Sequence, residues 1–129
     1  MISGSVLVVE DESVVLLDID HSLQEVGYSV ITAYRGADAI EAFDDHPERV
    51  RGLVTDIRLG DDTDGWAVAR HVRSVNPDLP VIYMSGDGAV DWQTEGVSNS
   101  LMIEKPFEMQ QIITGLADLL NEAPVGAYP

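Results

Sequence analysis

At 129 residues the chain has room for one hydrophobic core, and 45% apolar with 23% charged residues is the balance of a soluble globular domain. It has no Cys, which excludes disulfides, thiolate chemistry and Cys-based zinc sites and permits a reducing compartment. Acidic residues number 23 against 7 basic ones, a formal net charge of −16 that repels phosphate backbones and anionic lipid surfaces, so neither nucleic acid nor membrane is an expected partner.

The first apolar run, Val6 to Val9, is continuous and reads as a strand covered on both faces. After Glu10-Asp11-Glu12, Ser13 is placed as an N-cap. Leu16, Ile19, Leu23 and Val26 then recur at helical spacing up to a stop at Gly27. Tyr28 to Ala33 is the second strand. Ala39, Ile40 and Phe43 mark a helix that ends before Pro47, and Leu53-Val54-Thr55 leads the third strand into Asp56. Gly60 to Gly65 is a loop, with Asp64 capping a helix that carries Val68, Ala69, Val72 and Val75. Val81 to Met84 is the fourth strand. Gly86, Gly88 and Gly96 weaken the next helix, centred on Val90 to Thr94. Leu101 to Ile103 is the fifth strand, and Met109, Ile112, Ile113, Leu116 and Leu120 line a closing helix.

Five strands alternating with five helices predict an α/β fold, a doubly wound five-stranded parallel sheet with right-handed crossovers. With strand order 2-1-3-4-5, flavodoxin-like, a site forms outside the carboxyl ends of the strands at the switch point. Those ends carry Glu10-Asp11, Asp56, Ser85 and Lys105. Three carboxylates brought together repel unless cations offset them, and Lys105 supplies only one charge. Mg²⁺ supplies two more and prefers carboxylate oxygens and water. Asp56 is then a candidate nucleophile toward phosphorus, with Lys105 and the Ser85 hydroxyl on the phosphoryl oxygens. His21, His46 and His71 fall on helical segments, so no base stands by for rapid turnover. A persistent adduct suits a signal.

These residues, in this order at these strand ends, resemble the receiver domain of response regulators, CheY-like and of the single-domain type. The matching pieces are Glu10-Asp11 after a Val-rich strand, Asp56 after the third strand, Ser85-Gly86 after the fourth and Lys105-Pro106-Phe107 after the fifth, so the resemblance covers Ser5 to Asn121. It implies a receiver domain over 1–121 with a short tail, 122–129. It further implies that Asp56 takes a phosphoryl group from a phosphohistidine on a sensor histidine kinase or histidine phosphotransfer protein. Glu10, Asp11, Asp56 and the Arg58 backbone carbonyl would hold Mg²⁺, Ser85 and Lys105 would stabilise the phosphoryl group, and the Lys105–Pro106 peptide would be cis. The signal would pass to a downstream protein by a shift of a two-state equilibrium, and a homodimer through helix 4, strand 5 and helix 5 is admitted. Such a protein is not a turnover enzyme, although it assists its own phosphoryl transfer and slow autodephosphorylation. Arg58 and Asp87 would flank the phosphoryl group and tune its lifetime.

Three departures from the family pattern stand out. Met102 occupies the position of the usual aromatic switch residue, three before Lys105. The loop after Asp56 reaches Asp64-Gly65 about one residue late and has Gly60 where Pro is common. The acidic pair is Glu-Asp, so Glu10 would reach a metal through water. Met102 supports an alternative reading, a phosphorylation-independent interaction module that keeps the fold. A phosphatase is a more distant reading, since it wants a second acid–base residue beside the nucleophile.

Other motifs fail. Lys105, the one Lys, is followed by Pro106, so no Walker A loop exists. An EF-hand over the acidic loop would place Gly60 and His71 at ligand positions. Gly86-Asp87-Gly88 lacks the third glycine of a dinucleotide fingerprint and follows the wrong strand. Trp92 serves either a partner or the cover of the sheet. No apolar run approaches the roughly 18 residues of a membrane span, and the N-terminus has no basic signal region, so a cytoplasmic location is expected. With about eight residues after the last helix, no output domain is expected.

Overall fold

The computed structural model describes residues 4–86 and 91–120; Asp87, part of the Val90–Thr94 segment and the 122–129 tail lie outside the described residues. Five strands, β1 (Ser5–Val9), β2 (Ser29–Ala33), β3 (Val50–Asp56), β4 (Val81–Ser85) and β5 (Ser100–Glu104), form one parallel sheet in the order β2-β1-β3-β4-β5. Between them run α1 (Ser13–Glu25), α2 (Gly36–Asp45), α3 (Gly65–Val75), the four-residue α4 (Trp92–Glu95) and the closing α5 (Met109–Leu119). A short 3₁₀ turn, Pro47–Arg49, follows α2. The doubly wound order expected from the sequence is the observed one.

Alternate residues of each central strand serve different layers. Val6 and Val8 join Leu16, Ile19, Leu23, Ile112 and Leu116 under α1 and α5. Leu7 and Val9 join Ala39, Phe43, Val68 and Val72 under α2 and α3. Because both faces are covered, these strands read as unbroken apolar runs.

Helix ends explain several boundaries. After α1, Gly27 takes φ +101°. Its N–H donates to the Gln24 carbonyl (3.0 Å), and the Tyr28 N–H donates to that of Leu23 (3.0 Å). This is a paired 5→2 and 6→1 closure, which a left-handed glycine permits. Asp64 caps α3, its Oδ1 accepting from the Ala67 N–H at 2.9 Å. In α5 the N-cap Glu108 and Gln111 form a reciprocal capping box.

Some expectations are corrected. Glu12, not Ser13, is the N-cap of α1, and it makes no side-chain cap bond; Ser13 is already helical. Val26 (44% exposed) and Val75 (53%) lie outside the core, because Val26 is the cap just past α1 and Val75 the last residue of α3, where the chain leaves the sheet. The third strand begins at Val50, three residues before Leu53, along Ser5 and past a register shift. The second begins at Ser29.

Candidate functional site

The strand ends are held in place by continuation of the sheet's own hydrogen bonds. The Glu10 N–H donates to Ala33 (3.1 Å), the Ile57 N–H to Met84 (3.1 Å) and the Lys105 N–H to Ser85 (2.8 Å). Parallel strands put their carboxyl ends on one edge, so Glu10, Asp56, Ser85 and Lys105 emerge side by side. Gly65 allows α3 to start against the base of this site: a Cβ there would lie 2.2 Å from the Asp56 carbonyl oxygen. The Lys105–Pro106 peptide is cis.

The Lys105 ammonium bridges two carboxylates from different strands. Its Nζ lies 2.6 Å from Glu10 Oε1 and 3.2 Å from Asp56 Oδ2, with Glu12 Oε1 further out at 3.9 Å. Glu10 is wholly buried and its second oxygen accepts from the Glu12 N–H at 3.1 Å. Glu10 therefore faces Lys105. Asp11 is exposed, and ligand atoms of Glu10, Asp11 and Asp56 all lie within 4.8 Å of one another. Asp11, Glu12, Asp56, Arg58, Ser85, Gly86 and Lys105 line a cleft of about 420 Å³; Asp56 and Ser85 are buried in its floor and Arg58 is exposed at its rim.

Burial is the main force on Glu10 and pushes its carboxyl up to about 7, helped by the field of Asp56 and only partly countered by Lys105 and the Glu12 N–H. Burial also works against the Lys105 charge. The hydrogen bonds and fields of Glu10 and Asp56 outweigh it and hold the ammonium above its ordinary value. Four carboxylates, those of Glu10, Asp11, Glu12 and Asp56, against the Lys105 ammonium and the Arg58 guanidinium at the rim leave the cleft short of positive charge.

Met102 lies outside this cleft. It is half-buried on β5 opposite Tyr83 of β4 and packs against the α2–α3 side of the core. The Tyr83 ring packs at a tilt of 58° against Trp66, ring centroids 4.6 Å apart, and its hydroxyl accepts from the Val97 N–H at 3.0 Å. Trp92 covers the sheet, its indole N–H donating to Ser100 Oγ at 2.9 Å. His21 and His71 lie on α1 and α3 and His46 follows α2, and none is among the described residues that line the cleft.

Sequence reasoning missed the role of Glu12, which touches both Glu10 and Lys105. Its position two residues after Glu10, at the turn from strand to helix, was the available signal. It also missed the Tyr83–Val97 bond, for which the spacing of residues holds no signal.

The sequence model of the response regulator receiver domain family matches residues 6–117. Among curated relatives, the probable transcriptional regulatory protein TcrX of Mycobacterium tuberculosis is 32% identical over 94% of this chain and 51% of its own. The sensor kinase CckA of Brucella abortus is 30% identical over 93% of this chain and 13% of its own. The chain thus spans about half the length of the curated regulators it matches. Among solved structures, a response regulator receiver protein from Sinorhizobium medicae is 39% identical, with a TM-score of 0.89 over 92% of this chain and 95% of that one. A receiver domain of a sensor histidine kinase from Pseudomonas aeruginosa, with magnesium coordinated in its active-site cleft, is 21% identical and shares the fold, with a TM-score of 0.79 over 94% of this chain and all of that one. No helix of the described residues is long and apolar enough to cross a membrane. By this sequence match and this shared architecture, the chain belongs to the response regulator receiver domain family.

Proposed function

We propose that this receiver domain accepts a phosphoryl group on Asp56 from a phosphohistidine of a sensor kinase or histidine phosphotransfer protein, and signals by conformational change to a downstream protein. The observation that carries the reading is the Lys105 ammonium set between Glu10 and Asp56, 2.6 and 3.2 Å away, at the carboxyl edge of the sheet.

The donor set fits Mg²⁺. Carboxylate oxygens of Glu10, Asp11 and Asp56 converge within 4.8 Å, and hard oxygen donors with a deficit of positive charge are what that ion takes. Asp11, Asp56 and the Arg58 carbonyl would hold it, with Glu10, turned toward Lys105, reaching it through water. When bound, Mg²⁺ supplies positive charge to the carboxylates and to the oxygens of the transferring group.

The chain's own residues do the rest. An Asp56 carboxylate oxygen attacks phosphorus in line; the O–P bond forms as the P–N bond breaks, and its electron pair returns to the donor imidazole. Lys105 neutralises one phosphoryl oxygen and the Ser85 hydroxyl donates to another. With no His in the described lining, hydrolysis of the aspartyl phosphate is slow. The domain is an acceptor rather than a turnover enzyme, and it works where its kinase works, in the cytoplasm.

A second reading, an interaction module that keeps the fold without using phosphorylation, is favoured by one observation: Met102 sits half-buried beside Tyr83 where the family pattern has an aromatic switch. Intact mass after incubation with Mg²⁺ and a small acyl or amido phosphate separates the readings. A stable gain of one phosphoryl group in the wild type and none in Asp56→Asn supports the acceptor. No gain supports the module, and rapid donor consumption without an adduct supports a phosphatase.

A further inference from the structure

We infer that Asp61 is a positioning residue for the metal site: it ties the loop after Asp56 to the first turn of α2 and so presets the Arg58 carbonyl. This inference rests on the proposed Mg²⁺-dependent acceptor function.

The loop is anchored at both ends. At its start, the Ile57 N–H donates to Met84 (3.1 Å) and the Ile57 carbonyl accepts from the Gly65 N–H (2.8 Å). Further on, Asp61 reaches another element altogether. Its Oδ1 accepts from the Gly36 N–H at 3.3 Å and its Oδ2 from the Ala37 N–H at 3.1 Å. These are donors that the start of a helix leaves unpaired. The N-cap of α2, Arg35, provides no side-chain cap. Asp61 therefore caps α2 from 25 residues away, and its negative charge suits the helix's positive end. Thr63 closes on the same turn: a Cβ on Gly36 would lie 2.1 Å from the Thr63 carbonyl oxygen, so glycine is what admits the approach.

Between the two anchors lie only Arg58, Leu59 and Gly60. Leu59 packs against the core. A Cβ on Gly60 would meet nothing within 4 Å, so no contact demands glycine there, and the backbone is left its widest freedom. The family pattern commonly has Pro at this place, which would stiffen the loop covalently. Here the stiffness comes from the Asp61 carboxylate.

The test measures Mg²⁺ dissociation constants by calorimetry on the whole chain. Asp61→Ala should bind Mg²⁺ about 3- to 10-fold more weakly than wild type, at or below the lower limit of losses seen for direct outer-shell partners of metal ligands, because Asp61 acts through the loop backbone. Asp61→Asn, which keeps one acceptor oxygen, should fall between them. Asp62→Asn makes the same charge change one residue on, at an exposed position, and should stay within about two-fold of wild type. Adding Gly60→Ala to Asp61→Ala should restore part of the affinity by restricting the loop. Amide exchange without metal should show Gly36 and Ala37 exchanging faster in Asp61→Ala while the sheet stays protected. Affinity in Asp61→Ala within about two-fold of wild type, or an equal loss in Asp62→Asn, overturns the inference. Wild-type protein that binds no Mg²⁺ overturns the proposed function itself, and the two failures are thereby distinct.

Discussion

Glu10, fully buried, is joined to Lys105 by a 2.6 Å contact across 95 residues of chain, and the same ammonium touches Asp56 at 3.2 Å. One cation thus serves two carboxylates that folding forces together. The energetic tension of the cleft and its proposed chemistry have the same origin, too little positive charge for the acid gathered there.

The first consequence is a dependence on pH. The Glu10 carboxyl rises from 4.5 to about 7 on folding, chiefly through burial. Across that window the folded state keeps a proton that the unfolded chain releases. The stabilising contribution is therefore full below the lower value and lost as pH rises through the upper one. Metal-free protein should lose on the order of 3 kcal/mol from this group across that window, and Glu10→Gln should flatten the profile. Chemical denaturation at a series of pH values measures it; an unchanged slope in Glu10→Gln would contradict the assignment. The raised Lys105 value acts only at alkaline pH, where its contribution is lost.

Asp56→Asn should stabilise the metal-free fold by about 1 kcal/mol, because it removes one buried negative charge whose field also raises Glu10. The same variant should gain less from Mg²⁺. Loss of stability without metal would mean that the Lys105–Asp56 contact is worth more than the repulsion it offsets.

Asp11 is exposed, so Asp11→Ala should leave the metal-free melting temperature nearly unchanged. Mg²⁺ stabilises wild type by mass action and should stabilise this variant clearly less. Equal thermal shifts in both proteins would remove Asp11 from the ligand set.

Of two glycines flanking the loop after Asp56, one should resist replacement by Ala and the other accept it. At Gly65 the new Cβ would lie 2.2 Å from the Asp56 carbonyl oxygen and 2.9 Å from Ile57 Cα, so the backbone must shift. Gly65→Ala should cost about 2 kcal/mol or more and weaken Mg²⁺ binding, since Asp56 moves. Gly60→Ala meets nothing and should stay within about 0.5 kcal/mol of wild type. Urea denaturation of the pair distinguishes a steric requirement from a mere composition preference.

The parts of the fold legible in the sequence are those governed by local pattern. Val6–Val9 and Val81–Met84 announce themselves because both faces of the sheet are covered, and Gly27 marks a helix end because a left-handed residue is needed there. Val50–Gly52 escaped because Arg51 and Gly52 interrupt the apolar run, although the backbone there pairs with Ser5 and Val6. Val26 and Val75 keep the helical period past the point where their helices still touch the sheet. In the cleft, the convergence of Glu10, Asp56, Ser85 and Lys105 followed from strand order alone. The inward turn of Glu10, the Asp61 cap on α2 and the Tyr83–Val97 bond join residues 14 to 95 apart, and only the folded chain reveals them.

Site mapping of the phosphoryl group decides whether Asp56 is the acceptor. Protein incubated with Mg²⁺ and a small phosphoryl donor is digested and its peptides sequenced by tandem mass spectrometry. A single base-labile modification on Asp56, dependent on Mg²⁺, is the expected result. A modification on another residue, or none on Asp56 while the donor and metal are shown to be active on a control receiver, would contradict it.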